Sequence, residues 1–157
     1  MKNILITGGR GFIGRNIKEG LQDTNYKILA PSSEELNLMD SQQVKQYIRS
    51  NCITDIIHAA VYNENRRMIN RENEIYSNLT MFYNIISHSD QVDKIIYFGS
   101  GAEYDKRIDI RMVEEKEISK KLPFLNAYSM SKYVMNREAQ SSKNIYNLRL
   151  FGVFGKY

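Results

Sequence analysis

The stretch TGGRGFIG, residues 7–14, follows the apolar run ILI and places three glycines three positions apart. A glycine triplet that closes a strand and opens a helix is typical of a dinucleotide-binding turn. Gly8 permits the tight turn, Gly11 lets the backbone approach a pyrophosphate, and Gly14 lets the helix pack closely on the strand. The N–H groups at the start of that helix then face the phosphates.

The arginine inside this loop bears on which dinucleotide binds. An acidic residue after the second strand often holds the ribose 2′-hydroxyl of NAD. This sequence has the run APSS at 30–33, and Glu34 is the first acid. A guanidinium pairs with phosphate in bidentate fashion, so Arg10 and the hydroxyls favour a 2′-phosphate. We therefore predict NADP as the cofactor, with NAD as the alternative.

Short apolar runs alternate with helical patterns along the chain, which indicates parallel βαβ units. The fold predicted is α/β, a doubly wound parallel sheet of the Rossmann type, forming one NAD(P)-binding domain over residues 1–157. Two polar segments, 63–73 with its arginines Arg66, Arg67 and Arg71, and 105–121, are expected to be exposed. Strands are predicted at 3–6, 27–30, 55–58, 94–98 and 147–151, and helices at 11–21, 41–51, 73–89 and 126–142.

Composition narrows the class of protein. The net charge of +4 comes from scattered basic residues, so nucleic-acid binding is not expected. No segment approaches membrane-spanning length, and the single cysteine, Cys52, excludes an internal disulfide. We expect a cytoplasmic protein with Cys52 in its core. His58 is expected to be structural and His88 solvated, and no cluster with ligand spacing predicts a metal.

A tyrosine and a lysine four residues apart, Tyr128 and Lys132, are predicted to share one face of a helix. A nearby ammonium favours the phenolate, and the phenol can then exchange a proton with a carbonyl or alcohol oxygen. Ser100 follows the strand KIIYF, at the edge where parallel sheets bind ligands. Its hydroxyl either bonds the reacting oxygen or caps a turn. Together the three predict a hydride-transfer site beside a nicotinamide.

Five motifs occur in an order that resembles the extended short-chain dehydrogenase/reductase family of nucleotide-sugar epimerases, dehydratases and reductases. They are TGGRGFIG, IIHAA, FGSGAEY, YSMSK and LRLFGVFG. Within the family, GGRG and SEELNLMD are most similar to NADP-dependent sugar reductases of the GDP-L-fucose synthase type.

The resemblance implies a nucleotide-sugar substrate, hydride transfer at a sugar carbon, and a homodimer built on the long helix and the Tyr–Lys helix. It implies Ser100, Tyr128 and Lys132 as the catalytic set, with Arg10 at the 2′-phosphate and Asp40 near the adenine. The residues expected at the cofactor are Gly8, Arg10, Gly11, Phe12, Ile13, Gly14, Asp40, Ala59, Ala60, Asn78, Tyr128 and Lys132.

Departures from the family narrow the expected reaction. Gly101 and Ala102 stand where sugar 4,6-dehydratases carry an Asp-Glu pair, and Glu103 is one position late and expected to point away. Ala102 also replaces the cysteine of fucose-synthase-like epimerases. Ketoreduction or 4-epimerisation therefore remains as the expected reaction. Because family members are about twice as long, we expect an N-terminal part that lacks the substrate domain. The alternative is a non-catalytic dinucleotide-binding module or redox sensor.

Overall fold

A computed structural model describes residues 1–62, 72–104, 107, 111–120 and 126–157. Their five strands form one parallel sheet in the order β2-β1-β3-β4-β5. The predicted doubly wound α/β fold is confirmed. The strands are β1 (Asn3–Thr7), β2 (Lys27–Leu29), β3 (Asp55–His58), β4 (Lys94–Ser100) and β5 (Ile145–Leu150).

Four α-helices connect or flank these strands in the described chain: α1 (Phe12–Gly20), α2 (Ser41–Ser50), α3 (Glu72–Ile86) and α4 (Ala127–Ala139). Short 3₁₀ turns cover Ser89–Gln91, Gly101–Glu103 and Glu115–Lys120. The sheet order reverses direction beside β1, because β2 lies on one side of it and β3 on the other. Ligands of open α/β sheets bind at such a switch point, outside the carboxyl ends of the strands.

The core sits on the central strands, which are apolar along nearly their whole length. Leu5 pairs with Ile56 in register, and Ile57 pairs with Ile96. Leu5, Ile56 and Ile95 are almost fully buried. Strands covered on both faces need such continuous apolar runs, whereas a half-exposed sheet alternates. The rigid centre therefore fixes the strand ends that carry the polar residues of the site.

Side-chain caps mark where two helices begin. Asp40 accepts hydrogen bonds from the backbone N–H groups of Gln42 and Gln43 at the start of α2. Asn126 Oδ1 accepts from the N–H of Ser129 at 2.8 Å and starts α4. The N-cap of α1 is Gly11, which has no side chain to serve as an acceptor. The N-terminus of α1 is thus left open toward the turn.

Strand bounds differ from the prediction at the end of the sheet. β4 runs to Ser100 rather than ending at residue 98, and β5 occupies Ile145–Leu150 rather than 147–151. The two strands pair as far as Ser100 beside Leu150. Tertiary pairing, which local pattern does not reveal, extends both strands.

Two expectations about burial were wrong, and a third holds, among the described residues, except at one. Cys52 is exposed with φ 48°, because the chain turns left-handed directly after α2. His88 is buried and hydrogen-bonds Gln91, and its burial lowers its pKa. Ile118 is buried although it lies in the segment 105–121 expected to be exposed. The arginines predicted at 66, 67 and 71 lie outside the described residues.

Candidate active site

The glycine turn brings the first helix unusually close to two strands. Gly8 has φ +69°, and a Cβ there would lie 2.6 Å from the backbone nitrogen of Ala60. A Cβ on Gly14 would lie 2.3 Å from the carbonyl oxygen of Gly8. Neither contact leaves room for a side chain, because the opposing atoms belong to the backbone. The turn is therefore a narrow cradle that only glycine can form.

A cavity of about 370 Å³ opens above this cradle. It lies beside the uncapped N-terminus of α1, whose first N–H groups have no partner within the helix. Such a terminus attracts anions through its free donors and the helix dipole. Lining residues include Thr7, Gly8, Gly9, Arg10, Gly11, Ser32, Ser33, Asn37, Ala60, Val61 and Met81.

Arg10 is exposed at this cavity, which Ser32 and Ser33 also line. Glu35 Oε2 accepts a hydrogen bond of 2.7 Å from the N–H of Ser32. Hydrogen bonds from Ser32 lower the pKa of Glu35, and the charge of Arg10 lowers it further. Arg10 thus lines the open cavity near the carboxylate of Glu35, where it is available to an anion.

A second cavity, of about 240 Å³, lies at the carboxyl ends of β3, β4 and β5. It shares Ala60 and Val61 with the first cavity, so the two adjoin along the loop after β3. Three predicted side chains meet there, together with apolar residues of the segment after β5. Its lining includes Ile13, His58, Ala59, Ala60, Ser100, Tyr128, Lys132, Phe151 and Val153.

Lys132 is the buried cation of this second cavity. Its Nζ donates a hydrogen bond of 2.7 Å to the carbonyl oxygen of Phe98 and lies 5.8 Å from the centroid of the Tyr128 ring. Burial lowers the pKa of Lys132 to about 8, and the negative charge of Glu103 opposes that fall. The ammonium is thus mainly protonated at neutral pH, one helical turn from the half-buried tyrosine.

Ser100 has the capping role that the sequence suggested, whereas its bond to a reacting oxygen stays a prediction. It lines the second cavity, and its Oγ accepts a hydrogen bond of 3.1 Å from the N–H of Ala102. Glu103 Oε1 accepts one of 2.9 Å from the N–H of Ser100, which completes a capping box. As expected, Glu103 is not among the residues that line the cavity.

His58 is structural, as expected. Its Nδ1 lies 2.8 Å from the Oγ1 of Thr7, which in turn accepts from the N–H of Ala60. This hydrogen bond ties the end of β3 to the end of β1, where Thr7 and His58 are also paired in register. Burial, with a smaller contribution from Lys132, lowers the pKa of His58 to about 3.

Acid should destabilise the protein through His58. Because its pKa is about 3 when folded and 6.5 when unfolded, the unfolded state binds the extra proton. The contribution of His58 to the free energy of unfolding is complete above pH 6.5. It is lost as pH falls toward 3, by up to about 5 kcal/mol. Urea denaturation across this range should show a smaller loss in His58→Gln than in the parent. Equal losses in both proteins would contradict the assignment.

Asn78 and Asp40 have structural partners. Asn78 is buried and bonds both the N–H and the carbonyl of Tyr62, each at 2.8 Å, so it fixes the loop that the two cavities share. Asp40 caps α2 and is not among the residues that line either cavity. A contact of either residue with a cofactor stays a prediction.

Sequence reasoning missed the apolar walls of the site. Met81 on α3 lines the first cavity, and Phe151 and Val153 line the second. The run FGVFG after β5 carries a usable signal, because exposed apolar residues that follow the carboxyl end of a strand in a parallel sheet often border a ligand site.

The described residues hold neither a cluster of metal ligands nor a helix that could cross a membrane. No group of three or more His, Cys, Asp or Glu side chains is placed to hold a metal ion in that part of the chain. None of the described helices combines the length and apolar character that a bilayer crossing needs.

An anion cradle at a switch point, beside a second cavity at the next strand ends, places the chain among the dinucleotide-binding α/β proteins. The chain belongs to the NAD dependent epimerase/dehydratase family, whose model matches residues 4–157. The family resemblance seen in the motifs is thereby confirmed.

Individual relatives agree with this family. GDP-L-colitose synthase of Yersinia pseudotuberculosis is 26% identical over 168 residues, covering 98% of this chain and 54% of that protein. A GDP-D-glycero-L-gluco-heptose synthase of Campylobacter jejuni, solved in the presence of NADPH, is 25% identical with a TM-score of 0.84. The match covers 98% of this chain and 48% of that protein. The GDP-mannoheptose C4 reductase of the same organism, with NADP bound, is 24% identical, also at TM-score 0.84, covering 98% and 52%. The chain thus spans about half the length of these relatives.

Proposed function

We propose that this chain is the NADP(H)-binding part of a nucleotide-sugar oxidoreductase or epimerase that transfers hydride at a sugar carbon. The observation that carries the proposal is that the two cavities adjoin. The anion cradle beside α1 and the cavity of Lys132, Tyr128 and Ser100 have Ala60 and Val61 in common. A bound dinucleotide has the same order of parts, with its diphosphate between two ends.

The residues present fit such a cofactor. The turn at Gly8 and the close approach at Gly14 leave a cradle that a Cβ would fill, and α1 offers donors that no side chain caps. Bound NADPH supplies a hydride to a carbonyl carbon, or NADP accepts one from an alcohol. The GDP-mannoheptose C4 reductase was solved with NADP bound and the GDP-D-glycero-L-gluco-heptose synthase in the presence of NADPH, which supports this cofactor for the chain.

The protein's own side chains move and stabilise the proton. Tyr128 gives its hydroxyl proton to the sugar oxygen during reduction and takes it back during oxidation. Lys132 is held by the carbonyl of Phe98, so its positive charge stays fixed 5.8 Å from the centroid of the Tyr128 ring. Ser100, at the mouth of the same cavity, positions the reacting oxygen by a hydrogen bond.

Fluorescence titration of NADPH against the chain tests the first half of the proposal. Saturable binding is expected, and its absence at millimolar cofactor would overturn the proposal. Because the cofactor site lies within the described residues, this titration does not depend on a sugar-binding region.

Arg10 should decide the preference for NADPH over NADH. Replacing Arg10 with alanine removes a charge-assisted bond to the 2′-phosphate, so the dissociation constant for NADPH should rise about 10- to 100-fold while that for NADH stays the same. Isothermal titration with both cofactors measures this. Arg15→Ala is the matched control, since Arg15 makes the same charge change but contacts the Tyr157 ring instead. An equal loss for NADPH and NADH in Arg10→Ala would contradict a 2′-phosphate contact.

A further inference from the structure

A buried polar cluster lies directly behind the strand end that carries Ser100. Glu103 is fully buried and Arg149 nearly so, and the two form an ion pair with Nε 2.9 Å from Oε2. Burying two charges is costly and seldom stabilises a fold more than apolar packing would. The role of the Glu103–Arg149 ion pair next to the second cavity is therefore sought in the groups that it holds in place.

The carboxylate of Glu103 fixes three neighbours at once. It accepts the N–H of Ser100 at 2.9 Å, the Nε of Arg149, and the amide nitrogen of Asn147 at 3.2 Å. Because a carboxylate only accepts, it also fixes which way the Asn147 amide points. Asn136 on α4 joins the cluster by accepting from both Asn147 and Arg149. The strand end is thus tied to α4, the helix that bears Lys132.

The backbone is shaped to admit this carboxylate. A Cβ on Gly99 would lie 2.2 Å from Oε1 of Glu103 and 2.1 Å from Oδ1 of Asn147. Only glycine leaves space for these groups beneath the strand. The residue before Gly99, Phe98, gives its carbonyl to Lys132, and the residue after it is Ser100. The carboxylate of Glu103 therefore packs against the backbone at Gly99, between the carbonyl that binds Lys132 and the residue Ser100.

We propose that Glu103, neutralised by Arg149, is a positioning residue: it holds the backbone of Phe98–Ser100 so that Ser100 faces the cavity and Lys132 keeps its carbonyl partner. The role of this strand end in hydride transfer rests on the proposed function, but the positioning itself does not. The negative charge of Glu103 also raises the pKa of Lys132 and so favours its ammonium form.

Charged and titratable groups around Lys132 come from four elements. His58 faces it from β3, Tyr128 precedes it on α4, Glu103 lies in the turn after β4, and Arg149 lies on β5. His58 is neutral near pH 8 because burial holds its pKa at about 3. Removing the charge of Glu103 takes away the negative charge that opposes the effect of burial, so the pKa of Lys132 should fall further.

NMR titration of cofactor-free protein labelled with ¹³C at lysine Cε tests the inference, with Lys132→Met used to assign the signal. In the parent, Lys132 should titrate near 8. In Glu103→Gln its midpoint should fall by about 0.5 to 1 pH unit, and the Ser100 amide proton should move upfield. Glu115→Gln is the matched control, because Glu115 also bonds Arg149 but is exposed. Its midpoint should equal that of the parent.

A midpoint and an amide shift in Glu103→Gln that match those in Glu115→Gln would overturn the inference. If Glu103→Gln does not fold, the double variant Glu103→Leu with Arg149→Met replaces the pair by apolar groups of similar size and should show the same changes. Because no cofactor is present, failure here leaves the proposed function standing. Conversely, a chain that shows these shifts yet binds no NADPH would contradict only the proposed function.

Discussion

Replacing Tyr128 with phenylalanine should lower turnover of a nucleotide-linked keto sugar by about 10²–10⁴-fold in the whole protein. The variant keeps the ring that lies 5.8 Å from Lys132 Nζ and loses only the proton donor. The dissociation constant for NADPH should therefore change by less than about threefold. Loss of NADPH absorbance measures turnover, and fluorescence titration measures binding.

A neighbouring tyrosine supplies the matched control. Tyr133→Phe removes one hydroxyl from the same helix, but Tyr133 is not among the residues that line either cavity. Its turnover should equal that of the parent. Full activity in Tyr128→Phe would exclude the phenol as the proton donor. A parent protein that binds NADPH but reduces no keto sugar would instead favour the non-catalytic binding module.

Replacing Gly14 with alanine should strongly destabilise the protein. The new Cβ would lie 2.3 Å from the carbonyl oxygen of Gly8, so the helix and the turn must separate. We expect the free energy of unfolding to fall by about 3 kcal/mol, and NADPH affinity to fall at least about tenfold because the anion cradle widens. Urea denaturation and cofactor titration measure the two effects.

Gly20, at the other end of α1, should tolerate an added methyl group. Gly20 has no neighbour within 4 Å of the position of a Cβ, so Gly20→Ala should stabilise the protein by about 0.5–1 kcal/mol and leave NADPH binding unchanged. If both alanine variants behave alike, close packing at the turn is not what requires Gly14.

The parts of the fold that sequence predicts best are those with local causes. The apolar runs locate all five described strands, and the Asp40 and Asn126 caps lie within a residue of the predicted helix starts. The glycine spacing identified a turn whose geometry requires glycine. The fold class and the family follow from these features together. The roles assigned to the predicted site residues stay predictions.

The errors have non-local causes. His88 looked solvated because its neighbours in sequence are polar, but the end of α3 turns it inward. Cys52 looked like a core residue because an apolar strand follows, yet the left-handed turn after α2 exposes it. Glu103 gave no sign of burial, since its partner Arg149 is 46 positions away in sequence. Pairings of this kind exist only after the strands have come together.

The loop after β3 has a consequence for affinity. Ala60 and Val61 form a wall common to both cavities, and Asn78 anchors the next residue, Tyr62, through two hydrogen bonds. Because these bonds hold the partition in place, each compartment is already formed before a small molecule occupies it. Adenosine- and nicotinamide-like fragments should consequently bind independently, so the dissociation constant of each should be the same whether or not the other is present.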